Sequence, residues 1–121
     1  MRKNFWETTD PLGRDVICTA SAYDHITDRP NAKDRLVHYK ALDISRSVVE
    51  VPTEICTDTS APGTRIQYIG TDALPIDDHF LNVVVVVETD RQPFEVVTVE
   101  PMNPRKKNSK RGERIWPSSP S

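Results

Sequence analysis

The segment FLNVVVVV, residues 80–87, constrains the fold of this chain more than any other part of its sequence. Its five consecutive valines are β-branched, which favours an extended backbone, and a strand that is apolar at every position must be covered on both faces. We therefore predict that residues 83–87 form the central strand of a sheet. Segments with alternating apolar residues, 65–69 and 94–99, supply its two neighbours.

The first half of the chain carries helical patterns instead. Ser21 and Asp24 have the spacing that satisfies the free N–H groups of a helix start, and Pro30 suits the first turn of a second helix. A third helical segment is predicted to begin at Asp43 and to end at Pro52. One apolar face continues through the second and third segments, made of Val37, Ala41, Ile44, Val48 and Val51.

Helical patterns followed by strand patterns predict the α+β class, with N-terminal helices packed on one face of a mostly antiparallel sheet of four to five strands. A strand at residues 15–20 and a short edge strand at 112–116 complete that sheet, and Pro101 is expected to break the strand before it. A length of 121 residues favours a single core. We divide the chain into a lead-in segment (1–13), a single domain (14–116) and a disordered tail (117–121).

Composition argues against several classes of protein. The chain has 16 Lys and Arg against 18 Asp and Glu, a formal charge of −2, which disfavours a protein that coats nucleic acid without specificity. No apolar run is long enough for a signal peptide or a membrane span, so we expect a cytoplasmic protein with no membrane partner. The four glycines form neither a phosphate-binding loop nor a nucleophile elbow, which disfavours nucleotide hydrolysis and serine-based acyl transfer.

The three histidines, His25, His38 and His79, are the natural candidates for acid–base chemistry, because imidazole titrates nearest to neutral pH. His25 falls at a predicted helix start, where its ring can face a cleft, although a solitary histidine is more often structural or on the surface. His38 and His79 fit a structural role better. Together with Cys18 and Cys56, the histidines lack any recognised metal-ligand spacing, so we expect no metal and no cofactor.

A basic segment lies near the C-terminus, with six cationic residues and Trp116 after them. Charge runs are usually solvated loops, but an aromatic ring beside cations can also stack on a base while the cations hold the phosphate backbone. Both interpretations stay open at this point. The cationic residues are Arg105, Lys106, Lys107, Lys110, Arg111 and Arg114.

Several short motifs follow one another in a recognisable order. They are Tyr23-Asp24-His25-Ile26, Pro52-Thr53-Glu54-Ile55, Arg65-Ile66-Gln67-Tyr68, the valines of 83–87, Val96-Val97-Thr98 and Gly112-Glu113-Arg114-Ile115-Trp116. Over residues 15–116, their order and spacing resemble the phage-associated branch of the barnase–EndoU–colicin–RelE (BECR) nuclease superfamily. In that family a further histidine often precedes the proline, whereas here Asp28 and Arg29 lead directly into Pro30.

The resemblance implies metal-independent cleavage of RNA, such as tRNA or mRNA, by attack of a 2′-hydroxyl on the adjacent phosphate. It makes His25 the acid–base residue, with Arg29 and Arg65 stabilising the phosphate charge. Tyr68 and Thr98 would bind the phosphate or orient the nucleophile. An immunity or antitoxin protein is a further expected partner, as in phage or toxin systems. Substrate-binding residues are expected in and after the basic segment: Lys106, Lys107, Lys110, Arg111, Arg114 and Trp116.

Two other functions stay open. A non-catalytic module that binds RNA or a protein on the same fold is favoured by the missing second histidine and by the acidic overall charge. A metal-dependent hydrolase would be indicated by zinc or manganese bound to the purified protein. The site residues also have structural interpretations, because Arg65 can pair with an acid across the sheet, Tyr68 can pack in the core and Thr98 can be an ordinary strand residue.

Replacing Val85 by aspartate should unfold the domain. Val85 is the middle residue of the valine run, and an unpaired buried carboxylate costs several kcal/mol against a total stability of roughly 5–15 kcal/mol. Thermal denaturation followed by circular dichroism measures the effect. An unchanged midpoint would show that Val85 is exposed and that the predicted strand order is wrong.

Overall fold

The computed structural model of the protein describes residues 4–103 and 111–117, so the predicted tail lies outside the described residues beyond Pro117. Within these ranges the chain forms two helices, α1 (Ala20–Thr27) and α2 (Ala32–Glu50). It also forms seven strands: β1 (Trp6–Thr9), β2 (Asp15–Cys18), β3 (Glu54–Asp58), β4 (Arg65–Ile76), β5 (His79–Glu88), β6 (Phe94–Met102) and β7 (Arg111–Trp116). All seven belong to one mixed sheet, and the predicted α+β class is confirmed.

The valine strand β5 lies at the centre of the sheet, as predicted. The strand order is β1-β2-β6-β5-β4-β3-β7, so β5 pairs with β6 on one side and with β4 on the other. Both pairs are antiparallel, with Val85 opposite Val99 of β6 and Tyr68 of β4. Four of the five valines have no exposed surface, which explains why every position of the run is apolar.

The two faces of the sheet carry separate apolar clusters. The odd-numbered valines of β5 lie in the larger cluster, together with Ile26 of α1 and Leu42 of α2. The even-numbered valines, Val84 and Val86, point to the opposite face, because side chains alternate along a strand, and join a smaller cluster there. We call this second face the open face; it carries the side chains of Arg65, Gln67, Ile69, Val84, Val86, Thr98, Glu100 and Met102.

The sheet is larger than the four to five strands that the sequence predicts. Residues 6–9, predicted as part of a lead-in segment, form β1 and pair with β2. Glu54–Asp58, for which the sequence predicted no strand, form β3 between β4 and β7. Trp6–Thr9 has a single apolar residue, and the two apolar residues of Glu54–Asp58, Ile55 and Cys56, are adjacent, so neither segment shows the alternation that predicts a strand. The sheet is also mixed, because β2 and β6 run parallel.

The helices begin where short side chains cap them. Thr19, and not Ser21, caps α1, because its hydroxyl accepts a hydrogen bond from a backbone N–H three residues further on at 3.0 Å. Asn31 caps α2 in the same way. Asp43 does not begin a third helix; it lies on the exposed side of α2, which is one continuous helix of 19 residues.

β6 continues through Pro101 to Met102, where the sequence predicted a break. β2 pairs with β6 over Phe94 and Glu95, so among the strands of residues 4–103 and 111–117 the rest of β6 has β5 as its one neighbour. A proline at the outer edge of a strand removes no ladder hydrogen bond, which is why Pro101 is tolerated there. α2 contacts β6, and the start of the helix lies beside this uncovered edge.

The turn between β1 and β2 is fixed to the core by one carboxylate. Asp10 is buried and accepts hydrogen bonds from the backbone N–H groups of Leu12 and Arg14, from Arg14 Nε at 2.8 Å and from the Tyr68 hydroxyl at 2.7 Å. Burial by itself raises the pKa of the Asp10 carboxyl, but the hydrogen bonds from Tyr68 and Arg14 outweigh burial and hold the pKa below its ordinary value. Asp10 is therefore ionised at neutral pH.

Asp10→Asn should lower the free energy of unfolding at pH 7 by about 2–3 kcal/mol, because an amide nitrogen cannot accept the hydrogen bonds that the carboxylate accepts. Folding lowers the pKa of Asp10, so its contribution is complete above about pH 4 and is lost as the pH falls through the folded-state pKa. The difference between the two proteins should therefore shrink in acid. Urea denaturation at pH 7 and at several values below pH 4 measures it.

The matched control for that experiment is Asp15→Asn, which changes an exposed aspartate close to the same turn. This change should alter the free energy of unfolding by less than about 0.5 kcal/mol. If Asp10→Asn is as stable as the parent at pH 7, the carboxylate does not hold the turn to the core.

Candidate functional site

The five residues that the sequence predicts as catalytic lie in different parts of the structure. His25 is in the last turn of α1, exposed to solvent in the helix layer. Arg65 and Thr98 lie on the open face, on the other side of the sheet. Arg29 lies in the connection between α1 and α2, while Tyr68 is in the core. His25 therefore does not meet Arg65 and Thr98 in one cleft.

Tyr68 is not accessible to a substrate, so its predicted contact with phosphate is wrong. Its side chain is completely buried in the larger apolar cluster, and its hydroxyl donates to Asp10. Burial, and then the contact with Asp10, raises the pKa of Tyr68 far above its ordinary value, so the phenol stays protonated. The motif Arg65-Ile66-Gln67-Tyr68 lies on a strand, and residues three apart on a strand point to opposite faces.

Arg65 and Thr98 do share a cavity of about 340 Å³, which we call the open-face cavity. Arg65 Nη2 donates to Glu88 at 3.1 Å, the pairing with an acid that the structural interpretation expected. The Arg65 side chain is nevertheless 36% exposed and stays accessible from solvent. The other residues that line the open-face cavity are Asp58, Thr59, Ser60, Gln67, Val86, Glu100 and Met102.

Asp58 shapes one end of the open-face cavity. Its carboxylate accepts hydrogen bonds from the N–H and the hydroxyl of Ser60, at 2.8 and 2.5 Å, and from Gln67 Nε2 at 3.1 Å. Burial raises the pKa of this carboxyl, but the hydrogen bonds from Ser60 and Gln67 outweigh burial and hold the pKa below its ordinary value. Asp58 is therefore an ionised group that is engaged within the protein, and it is poorly suited to accept a proton from a substrate.

Arg29 lines a second cavity, of about 330 Å³, between the start of α2 and the uncovered edge of β6; we call it the α2-edge cavity. Arg29 Nε donates to the carbonyl of Ile26 at 3.2 Å, and the Arg29 carbonyl accepts a hydrogen bond from Arg35 at 2.8 Å. Both contacts hold the residue in position. The other residues that line this cavity are Asp34, Val37, His38, Leu81, Glu100 and Pro101.

His38 is the histidine that lines the α2-edge cavity, although its sequence context favours a structural role. Its Nδ1 lies 2.8 Å from the backbone carbonyl of Asp34 and 3.3 Å from the Asp34 carboxylate, and its side chain is 8% exposed. A carbonyl oxygen only accepts hydrogen bonds, so Nδ1 carries the proton and Nε2 is the basic nitrogen of the neutral ring. The spacing of four residues between Asp34 and His38 is a helical signal that sequence reasoning missed.

Glu100 joins the two cavities, because it lines both of them. It lies on the open face two residues after Thr98, in the part of β6 that β2 does not pair with. Alternation along β6 indicates that Thr98 and Glu100 share a face, but no local pattern indicates that Glu100 shares a cavity with His38. The α2-edge cavity thus combines a carboxylate of β6, an imidazole of α2 and the guanidinium of Arg29.

The predicted substrate-binding residues are described only in part. Arg111 begins β7 and donates from Nη2 to Glu54 at 2.8 Å, an ion pair that raises the pKa of Arg111. Arg114 is exposed, whereas Trp116 is half-buried and packs against the larger apolar cluster. Trp116 therefore offers only part of its ring to a base. The residues Arg105, Lys106, Lys107 and Lys110 lie outside the described residues.

In residues 4–103 and 111–117, no group of three or more His, Cys, Asp or Glu side chains is arranged to hold a metal ion. No helix in these ranges is long and apolar enough to cross a membrane. Cys18 and Cys56 are free and buried, and burial raises the pKa of Cys18 to about 12, so its thiol is protonated at neutral pH.

Comparisons with protein-family models, with curated proteins and with solved structures find no match for this chain. The chemistry available at the α2-edge cavity follows from its side chains. A carboxylate and an imidazole can move protons, and a guanidinium can bind the oxygens of a phosphate. Together these groups suit a displacement at phosphorus that begins with loss of a proton and ends with gain of one.

Neutral His38 should carry its proton on Nδ1, because this nitrogen faces the Asp34 carbonyl. Two-dimensional ¹H–¹⁵N spectra of the histidine rings distinguish protonated from unprotonated ring nitrogens. His25 and His79 are exposed controls and should show the Nε2-protonated form that imidazole side chains favour in water. A proton on Nε2 of neutral His38 would contradict the hydrogen bond to Asp34 and the orientation of the ring.

Proposed function

We propose that this protein is a metal-independent ribonuclease that cleaves single-stranded RNA at the α2-edge cavity. The observation that carries the proposal is that His38, Glu100 and Arg29 line one cavity. Attack of a 2′-hydroxyl on the adjacent phosphate needs a base, an acid and a cation for the phosphate oxygens, and these side chains supply that set. His38 takes the role that the sequence assigned to His25, and Arg29 keeps its predicted role.

Each of the three residues has one role in the reaction. Glu100, as a carboxylate, takes the proton of the 2′-hydroxyl while the 2′-oxygen forms its bond to phosphorus. Doubly protonated His38 gives the Nε2 proton to the 5′-oxygen as the bond between phosphorus and that oxygen breaks. The neutral ring that remains keeps its proton on Nδ1, which faces the Asp34 carbonyl. Arg29 stabilises the charge on the phosphate oxygens, and the products are a 2′,3′-cyclic phosphate and a 5′-hydroxyl.

The order of the sequence motifs supports the same proposal, because it resembles the phage-associated branch of the BECR nuclease superfamily. RNA, such as tRNA or mRNA, is the proposed substrate, and an immunity or antitoxin protein is a proposed partner. Free cysteines are typical of reducing compartments, which supports a cytoplasmic location. Arg65 and Thr98, in the adjoining open-face cavity, would contact a nucleotide next to the scissile phosphate.

A non-catalytic module that binds RNA or a protein is the second candidate. The charge of the two cavities favours it, because Asp34, Asp58 and Glu100 line them against the guanidiniums of Arg29 and Arg65. A phosphate backbone binds weakly to a surface with more carboxylates than cations, unless cations elsewhere contribute. In this case the protein binds its partner and cuts nothing.

Cleavage of single-stranded RNA in the presence of EDTA tests the proposal. The parent protein should cut the RNA and leave a cyclic phosphate, while DNA of the same sequence, which lacks the 2′-hydroxyl, should survive. His38→Ala should slow cleavage by about a hundredfold or more, the usual range for losing a general acid or base. His25→Ala is the matched control, because it removes an exposed histidine of the neighbouring helix, and it should cleave at close to the parent rate.

Three other outcomes would point elsewhere. Loss of activity in His25→Ala but not in His38→Ala would return the site to the residue that the sequence predicted. A folded protein that binds RNA and cuts none would support the non-catalytic module. Activity that EDTA abolishes and zinc or manganese restores would indicate a metal-dependent hydrolase.

A further inference from the structure

Three aromatic side chains form a row at the surface of the helix layer. Phe5 lies just before β1, Tyr23 is in α1 and Tyr39 is in α2. The ring centroids of Phe5 and Tyr23 are 4.6 Å apart, and those of Tyr23 and Tyr39 are 6.1 Å apart. We call these three rings the aromatic row.

The core uses only part of the aromatic row. Tyr23 packs against the larger apolar cluster, which holds the middle ring in place. The outer rings, Phe5 and Tyr39, are 41% and 38% exposed, and Leu36, one turn before Tyr39 in α2, is 53% exposed. Unlike a single exposed residue, these side chains therefore offer a continuous apolar surface to a partner.

Two carboxylates border the aromatic row. Asp24 follows Tyr23 in α1, Asp43 lies one turn after Tyr39 in α2, and both are exposed. Burial raises the pKa of the Tyr23 hydroxyl, and the charges of ionised Tyr39, Asp43 and Asp24 raise it further. Both carboxylates are therefore close enough to the middle ring to place a negative potential on it.

We propose that the aromatic row, together with Asp24 and Asp43, is a docking surface for an arginine-rich segment of a partner protein. The face of an aromatic ring attracts a cation that lies within about 6 Å of its centroid. A guanidinium is planar, so it can stack on such a ring, and its paired N–H groups can bind a carboxylate. An arginine side chain therefore complements both the rings and the carboxylates of this surface.

The spacing of the rings fits an extended segment. A strand rises about 3.3 Å per residue, so arginines at every second position lie about 6.6 Å apart on one side of the segment. The centroids of Tyr23 and Tyr39 are 6.1 Å apart, so two such arginines can lie over neighbouring rings. An RNA strand can also stack its bases on aromatic rings, but Asp24 and Asp43 would repel its phosphates. A cationic peptide is therefore the favoured occupant.

The docking surface is separate from the proposed site of RNA cleavage. Phe5, Tyr23 and Tyr39 line neither the open-face cavity nor the α2-edge cavity. Binding of a peptide to the aromatic row can therefore be measured without RNA, and its failure would not bear on the ribonuclease.

The tyrosines provide reporters of binding, because the chain has three of them, Tyr23, Tyr39 and Tyr68. Protein with ¹³C-labelled tyrosine rings gives separate signals, which Tyr23→Phe and Tyr39→Phe assign. A synthetic peptide of alternating glycine and arginine should shift the signals of Tyr23 and Tyr39 and leave those of Tyr68, which is completely buried, unchanged. The same peptide with lysine in place of arginine should bind more weakly, and the peptide with glutamate should produce no shift.

Changes at the aromatic row should weaken binding of the arginine peptide. Tyr39→Leu removes a ring face and Asp43→Asn removes a charge, and each should raise the dissociation constant about two- to fivefold, the range for one exposed cation–π contact or ion pair. The Tyr23 signals report binding in both variants. Phe80→Leu and Asp78→Asn are the matched controls, because they make comparable changes at exposed residues of the hairpin between β4 and β5, and they should bind like the parent. Circular dichroism confirms that each variant is folded.

The proposal is overturned if the arginine peptide shifts neither Tyr23 nor Tyr39, if the glutamate peptide shifts them equally, or if Tyr39→Leu and Asp43→Asn both bind like the parent. Equal affinity for the lysine peptide would overturn the selection of arginine. Shifts that appear with single-stranded RNA and not with the peptide would overturn it in favour of a nucleic-acid surface, and shifts that depend on protein concentration alone would do so in favour of a second copy of this chain. Peptide binding by a protein that cuts no RNA would support the docking surface and refute the ribonuclease.

Discussion

The valine run of β5 can be buried only if both faces of the sheet are covered, and the rest of the fold follows from this constraint. α1 and α2 cover one face through Ile26 and Leu42. On the open face, side chains of neighbouring strands, such as Ile69 and Met102, cover the even-numbered valines. This smaller cluster is bordered by polar residues, and the open-face cavity lies among them. The same constraint that buries β5 therefore leaves a polar site on one side of the sheet.

The edge of β6 has a different consequence. β2 leaves β6 after Glu95, and the start of α2 lies beside the edge that remains. At this edge, the side chain of His38 belongs to α2 in the helix layer, and the side chain of Glu100 belongs to the open face of the sheet. Two groups that belong to opposite sides of the sheet thus line one cavity at its margin. This arrangement is possible because β2 pairs with β6 over a short stretch and because Pro101 has no N–H group that would need a partner at the edge of the sheet.

Sequence reasoning succeeded where structure depends on neighbouring residues. The valine run predicted β5 and its central position, and Pro52 predicted the end of the helical half, because β-branching and a missing N–H act locally. It succeeded less well with the site. Arg29, Arg65 and Thr98 all line cavities, but Tyr68 points to the buried face of β4. The alternation of side chains along a strand predicts which face each residue lies on, whereas a motif treated as a list of residue types does not.

By itself, the sequence determined an α+β chain built around one apolar strand, with its helices before its main strands, because these features follow from propensity and periodicity within short segments. The tertiary structure alone decided that His38, and not His25, shares a cavity with Glu100. This shared cavity brings together residues that are far apart in the chain. Its geometry depends on how α2 packs against β6, which is set by burial of the whole core and not by any one segment.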